Sequence, residues 1–336
     1  MGHGSYTAGD WNKLKNSRGL SSDSNANQTF ENDRVQDKYN ARFIETRESF
    51  DSEDSPESTP IIIGFDVTGS MGYLANEIAT NSLNETIMQI LTKKPVTNPH
   101  MMCAAFTDPS DPLQVTQFEA DIRVVEQLLD FKLGGGNDYA FDNILWYFAA
   151  RHTKIDSFAK RRRKGILIGI GDEICGRKEN VLSSSCIESL FADREACEVS
   201  FDEALSMVRE QYEVVHIVVG EDTRFASGPD RRFGPSYTGW KEALPGRVIK
   251  LRAKDISCLA DVIVAGIQIL NGVSRESALE QVSLEKREIV RVAIEDFAEN
   301  SFMPVEGNAS GKSDNSLAVA TTRKRGIFHG LFHNRK

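Results

Sequence analysis

The sequence predicts an α/β protein: a doubly wound, mostly parallel six-stranded sheet with helices on both faces and polar extensions at the N- and C-terminal ends. Three observations predict it. From residue 60 to about 272, apolar runs of strand length alternate with helix-length amphipathic segments, the signature of βαβ units. With 40% hydrophobic and 26% charged residues in a chain of 336, there is enough apolar material for one large core or two small ones. Outside 60–272 the composition turns polar at both ends.

Residues 1–59 form a polar arm rich in Ser, Asn, Asp and Glu, ending in "ESFDSEDSPESTP", and are expected to lack a core of their own and to be partly disordered. Tyr6, Trp11, Tyr39 and Phe43 mark places where the arm docks on the main domain, 60–272. The expected strands are 60–66, 101–107, 113–118, 165–171, 214–220 and 247–251. The third is short and follows Pro109 and Pro112, which makes it an antiparallel edge strand. Helices are expected at 71–91, 121–131, 138–152, 200–211, 234–243 and 255–270; in the first, Leu74, Ile78, Ile87 and Leu91 share a face. A further helix over 274–298, within a C-terminal segment 273–299, carries apolar Leu279, Val282, Ile289, Ala293 and Phe297, to pack on the domain or to meet a partner. The remainder, 300–336, reads as a flexible tail with the basic and apolar end "RKRGIFHGLFHNRK".

Composition excludes several classes. A net charge of -9 leaves no basic footprint for nucleic acid, and "KRRRK" at 160–164 reads as a solvated loop. No stretch reaches the roughly 18 apolar residues of a membrane span, and the opening lacks a signal-peptide core. Gly2 does not make a myristoylation site, because Tyr6 stands where a hydroxyl residue is needed. Five cysteines without CxxC spacing suit reduced thiols, so a cytoplasmic protein is expected.

In a parallel sheet flanked by helices, ligands collect at the carboxyl ends of the strands. "DVTGS" sets Asp66, Thr68 and Ser70 between a strand and a helix at that rim. "LGGGNDYAFDN" (133–143) adds a tight glycine turn with Asn137 and Asp138, and "ILIGIGDEICG" (166–176) ends a strand in Asp172 and Glu173. Oxygen donors from Asp, Ser, Thr and Asn, without Cys or His, select a hard cation: Mg²⁺, Mn²⁺ or Ca²⁺. The bland alternative makes Ser70 and Asn137 helix caps with no ion.

The trio "DVTGS", "GGGND" and "GDE", in that order, resembles a von Willebrand factor A (VWA) domain with a metal-ion-dependent adhesion site (MIDAS), of a bacterial or phage type. Thr68 replaces the first serine of the family's D-x-S-x-S pattern, a change that keeps the hydroxyl; the family's second-loop threonine is missing, and Asn137 or Asp138 takes its role. The resemblance implies a metal set of Asp66, Thr68, Ser70, Asn137 or Asp138, and Asp172. It implies that the two hydroxyls bind the ion directly and that an Asp or Glu of a protein partner completes the shell, in a non-enzymatic interaction module. Two rivals follow: a VWA subunit serving an AAA+ ATPase of the MoxR or chelatase kind, and a divalent-metal-dependent hydrolase using Glu173, Asp108 or Asp142. The segments 179–198 and 223–240 follow strands at this rim, as specificity inserts or plain surface elaborations.

Overall fold

A computed structural model of the chain describes residues 8–18, 32–137, 139–175, 180–220 and 236–298. The C-terminal tail, most of the 223–240 loop, Tyr6 and Asp138 lie outside the described residues.

Among the described residues eight strands form two sheets. In chain order they are β1 Arg47–Ser49, β2 Thr59–Asp66, β3 Pro99–Phe106, β4 Gln114–Val115, β5 Thr153–Ile155, β6 Gly165–Gly171, β7 Tyr212–Gly220 and β8 Val248–Arg252. The main sheet runs β4-β3-β2-β6-β7-β8, parallel throughout except for the antiparallel β3–β4 edge. All eight residues of β2 are buried; Ile61, Ile63 and Phe65 enter one apolar cluster and Ile62 the other, so both faces are covered. Burial of each such side chain is worth about 1.5–3 kcal/mol, and the strand tolerates a polar group only where the sheet ends. That polar group is Asp66. Asp66 pairs with Phe106, and Phe65 with Ile170, so β2, β3 and β6 finish together and their carboxyl ends share one rim.

Helices cover both faces. Gly64 admits the helix Asp142–Arg151 to the second face, since a Cβ there would stand 2.2 Å from Leu145 Cδ2. On the other face the segment expected as one helix over 71–91 is Tyr73–Glu77, a π-turn Ile78–Ser82 and Leu83–Lys93. Two hydroxyls bond back to carbonyls there, Thr80 to Asn76 O at 2.6 Å and Thr86 to Ser82 O at 2.7 Å, a competition known to bend helices. Leu74, Ile78 and Ile87 are nonetheless buried on one face, with Leu91 packed at its edge.

Several expected boundaries move. The helix expected from 138 begins at Asp142, because Gly134, Gly135 and Gly136 hold φ of 77°, 146° and 78°, outside helical space. The one expected over 121–131 is Arg123–Leu128, and that over 255–270 is a 3₁₀ turn Ala253–Cys258 leading into Leu259–Leu270. The helix expected over 274–298 is two, Arg275–Glu280 and Leu284–Ala293, and Val282, Val290, Ala293, Ile294 and Phe297 join the main core. Segment 179–198 contains a helix, Ser184–Phe191, whose Ile187, Leu190 and Phe191 are buried with Leu182; that gives it a packing role.

The arm is tied down. It contains the helix Ala8–Ser17, whose Trp11 and Leu14 pack on the core; Tyr39 is buried, while Phe43 is 61% exposed. Asp130 collects Arg18, Lys38 and the Tyr39 hydroxyl, and β1 pairs in parallel with β5. The basic run 160–164 is occupied structurally: Arg161 holds Asp51, Lys160 holds Asp156, Arg163 bonds Asn271 and Lys164 bonds Arg209 O. All five cysteines are free, with Cys103, Cys175 and Cys258 buried.

Candidate metal centre

Three segments meet at the carboxyl rim. Asp66, at the last position of β2, is fully buried; its Oδ1 accepts the Thr68 N–H at 2.7 Å, and its Oδ2 is buried with no hydrogen-bond partner. Thr68 Oγ1 lies 3.1 Å from Ser70 Oγ, and Ser70 Oγ donates to Asp172 Oδ1 at 3.0 Å. Thr68 and Asp172 are buried whereas Ser70 is exposed, so the cluster opens to solvent at Ser70. The capping alternative fails for both residues: Gly72 is the N-cap of Tyr73–Glu77, Phe141 is that of Asp142–Arg151, and the Ser70 hydroxyl turns to Asp172.

The environment penalises negative charge at Asp66. Burial pushes its carboxyl well above the usual carboxylate range; the Thr68 N–H opposes this and the nearby charges of Asp172 and Glu173 add to it. Gly171, the last residue of β6, makes room for the carboxylate: a Cβ there would meet Asp66 Cβ at 3.3 Å and Oδ2 at 3.6 Å.

The second loop is positioned by Asp108 and Asp111. Asp111 Oδ2 accepts the Gly136 N–H at 2.6 Å, Asp108 Oδ2 accepts the Asn137 N–H, and Asp108 Oδ1 accepts the Ser110 N–H at 2.7 Å. Successive N–H groups of a left-handed glycine run form an anion-binding nest, and here the chain's own carboxylates fill it. Gly136 consequently lies against Thr68, with a built Cβ 3.4 Å from Thr68 Cγ2. The Asn137 side chain is exposed and donates to Ser110 Oγ at 3.0 Å, so the fold joins Asp66, Thr68, Ser70 and Asp172 directly and brings Asn137 beside them through its backbone.

The third loop is anchored from beneath. Ser236 Oγ donates to Asp172 O at 3.1 Å and Trp240 Nε1 to Glu173 O at 3.0 Å, both from the helix Ser236–Ala243. Trp240 stacks on His216 at 3.6 Å and 8°, and His216 Nδ1 stands 3.3 Å from Asp142 Oδ1. Sequence reasoning missed this layer; the histidine interrupting the apolar run "VVHIVVG" is the signal that could have found it.

The donor set suits a hard cation. Among the described residues no group of three or more His, Cys, Asp or Glu side chains is placed to hold a metal, so an ion at this rim depends on the hydroxyls. The contacts at 3.1 and 3.0 Å are hydrogen bonds, close enough for the same oxygens to share one ion, and the unpartnered Asp66 Oδ2 offers a further oxygen beside them.

No family model and no curated protein matches the chain. Its fold is similar to proximal thread matrix protein 1 from the mussel byssus (TM-score 0.39, 12% identity, 62% of this chain and 46% of that one). It is also similar to a von Willebrand factor type A protein from Catenulispora acidiphila (0.37, 11%, 70% and 48%). A second structure of the mussel protein, with a zinc-occupied MIDAS motif, matches at 0.39 and 13% (62% and 47%). The chain thus spans about half the length of these structures. Among the described residues no helix is long and apolar enough to cross a membrane.

Proposed function

We propose that this protein is a non-enzymatic interaction module of the VWA type, binding one divalent cation at the rim and through it an acidic group on a protein partner. The observation that carries the reading is the Asp66 carboxylate: fully buried, with Oδ2 unpartnered, at the end of a hydroxyl chain that leads to solvent. A carboxylate kept in such a place is stabilised by a positive charge or else by a proton.

In this reading Thr68 and Ser70 supply neutral oxygens, while Asp66 and Asp172 supply charge. The donor assigned to the second loop in this reading is Asn137 or Asp138. When bound, the cation supplies a Lewis-acidic position that an incoming Asp or Glu carboxylate can occupy. The chain's part is to hold its oxygens in place: β2 and β6 fix Asp66 and Asp172, Asp108 and Asp111 fix the glycine run, and Ser236 and Trp240 hold the third loop. Mg²⁺ suits an all-oxygen set that keeps waters, with Mn²⁺ as a close substitute. Exposure at Ser70, with the 62%-exposed Tyr73 one helical turn further on, gives the partner its side of approach.

Calorimetric titration of Mg²⁺ and Mn²⁺ into the wild type and Asp66→Ala tests the cation. Capture of partners from a lysate of the source cells, with Mg²⁺ and with EDTA, tests the bridge. The expected result is one site lost in Asp66→Ala and a partner retained only by wild type with Mg²⁺. Unchanged metal affinity and unchanged capture would sink the reading.

A further inference from the structure

Away from the rim, the arm and the main domain enclose a cleft of about 760 Å³ lined by Lys38, Phe43, Arg47, Gln117, Glu119 and Lys154, among others. Glu119 bridges to Met101, five residues before the end of β3, which places the cleft about 16 Å back along that strand from the metal rim. One residue in its wall is out of balance.

Arg47, the first residue of β1, is only 7% exposed. Its Nη2 donates to Lys38 O at 2.7 Å and to Val115 O at 3.3 Å, and its Nε is buried with no partner. These contacts are to neutral carbonyls. Arg161 has Asp51 and Arg247 has Glu213, while the half-buried Arg209 and Arg287 also meet carbonyls, so Arg47 differs from the latter two in the depth of its burial. Burial lowers the Arg47 pKa to about 10, with only the Tyr39 phenol opposing. Of the acids in the cleft wall, Glu45 and Glu48 are exposed, and Glu119 is already engaged by Arg123 at 3.0 Å and Gln127 at 3.0 Å. A guanidinium taken out of water without a counter-charge is costly and is ordinarily paired. Its planar fork matches an oxyanion better than any other side chain does.

We propose that this cleft is a binding site for a small-molecule oxyanion, a carboxylate or a phosphate, which docks on Arg47 with Lys154 at the mouth. Lys154, on β5 beside β1, sits in register with Glu48 and supplies a second, exposed positive charge. Because the site is built from β1, β5 and the arm, it is independent of the metal rim, and its ligand ties the arm to the main domain.

The test uses the full-length protein in EDTA, so that the cation site plays no part. Inorganic phosphate and succinate are titrated against sodium chloride of equal ionic strength, by calorimetry and by the Arg47 Nε–H resonance in NMR. The expected result is saturable binding by one of the two anions with a shift of that resonance, weakened at least tenfold by Arg47→Lys and several-fold by Lys154→Ala. Tighter phosphate binding identifies a phosphate-bearing ligand; tighter succinate binding identifies a carboxylate. Absence of saturable binding of both anions, or equal binding by wild type and Arg47→Lys, overturns the proposal. Should Arg47→Lys fail to fold, an Arg47 resonance in the wild type that ignores both anions overturns it as well.

Discussion

Replacing Asp66 with Asn separates what the rim costs from what it binds. Asn keeps a carbonyl oxygen for the Thr68 N–H, 2.7 Å away in the wild type, and places an amide nitrogen where Oδ2 had no partner. It removes a charge that burial and the neighbouring Asp172 and Glu173 both disfavour. Relief of that kind at a functional site is worth about 0.5–2 kcal/mol, so in EDTA the variant should be more stable than the wild type. The wild type in turn should gain about 2.7 kcal/mol from Mg²⁺ at a hundred times its dissociation constant. At about 2–4 °C per kcal/mol for a domain of this size, that is a rise in Tm of about 5–11 °C, which Asp66→Asn should lack. Scanning fluorimetry of both proteins, each in EDTA and in Mg²⁺, reads all four states. A variant less stable than wild type in EDTA would show that the carboxylate is paired inside the fold, and an equal Mg²⁺ shift in both would show that the ion binds elsewhere; either result refutes the reasoning.

His100 lies buried between the Ser49 and Ser55 hydroxyls, at 3.0 and 2.8 Å, and burial lowers its pKa from 6.5 to about 4. The unfolded chain takes the proton first, so this stability is complete above about pH 6.5 and falls as pH drops toward 4. The loss is of order 3 kcal/mol, seen as urea midpoints that decline across that window and flatten in His100→Gln. Gly64→Val should cost about 1–3 kcal/mol of stability, read as a lower urea midpoint, because its Cβ would stand 2.2 Å from Leu145 Cδ2; an unchanged midpoint would mean that the Leu145 side chain swings aside at no cost. Asp111→Ala removes the acceptor of the Gly136 N–H, and exchange of that amide should speed roughly ten- to a hundredfold while the core amides of β2 stay protected.

The main strands were legible because the sheet buries both faces: "PIIIGFD" and "GILIGIGD" admit few other readings, and the acid at the end of each had to lie at a rim. The three-residue strands "RES" and "TKI" were not, since neither carries a pattern and each exists only because the other is there. The rim divides in the same way. Asp66, Thr68 and Ser70 are local in sequence, so their convergence could be read from five residues. "TDPSDP" announced a turn after β3, but that its two aspartates hold a glycine run 25 and 29 residues later depends on the path of the chain between them. For the same reason the sequence alone could not direct the Asn137 side chain toward Ser110.

Most of the candidate site's oxygens are already satisfied by one another. Thr68, Ser70 and Asp172 form a continuous hydrogen-bonded chain, so an ion entering there exchanges those contacts for its own and gains little from the hydroxyls themselves. The surplus comes from Asp66, whose buried carboxylate is compensated by Thr68 at Oδ1 but left unpartnered at Oδ2. Occupancy should therefore depend on residue 66 far more steeply than on residue 68 or 70. In calorimetric titrations Thr68→Val should weaken Mg²⁺ by a modest factor, whereas Asp66→Asn should abolish measurable binding. The reverse order would place the binding energy in the hydroxyl chain and reduce Asp66 to the anchor of the Thr68 turn.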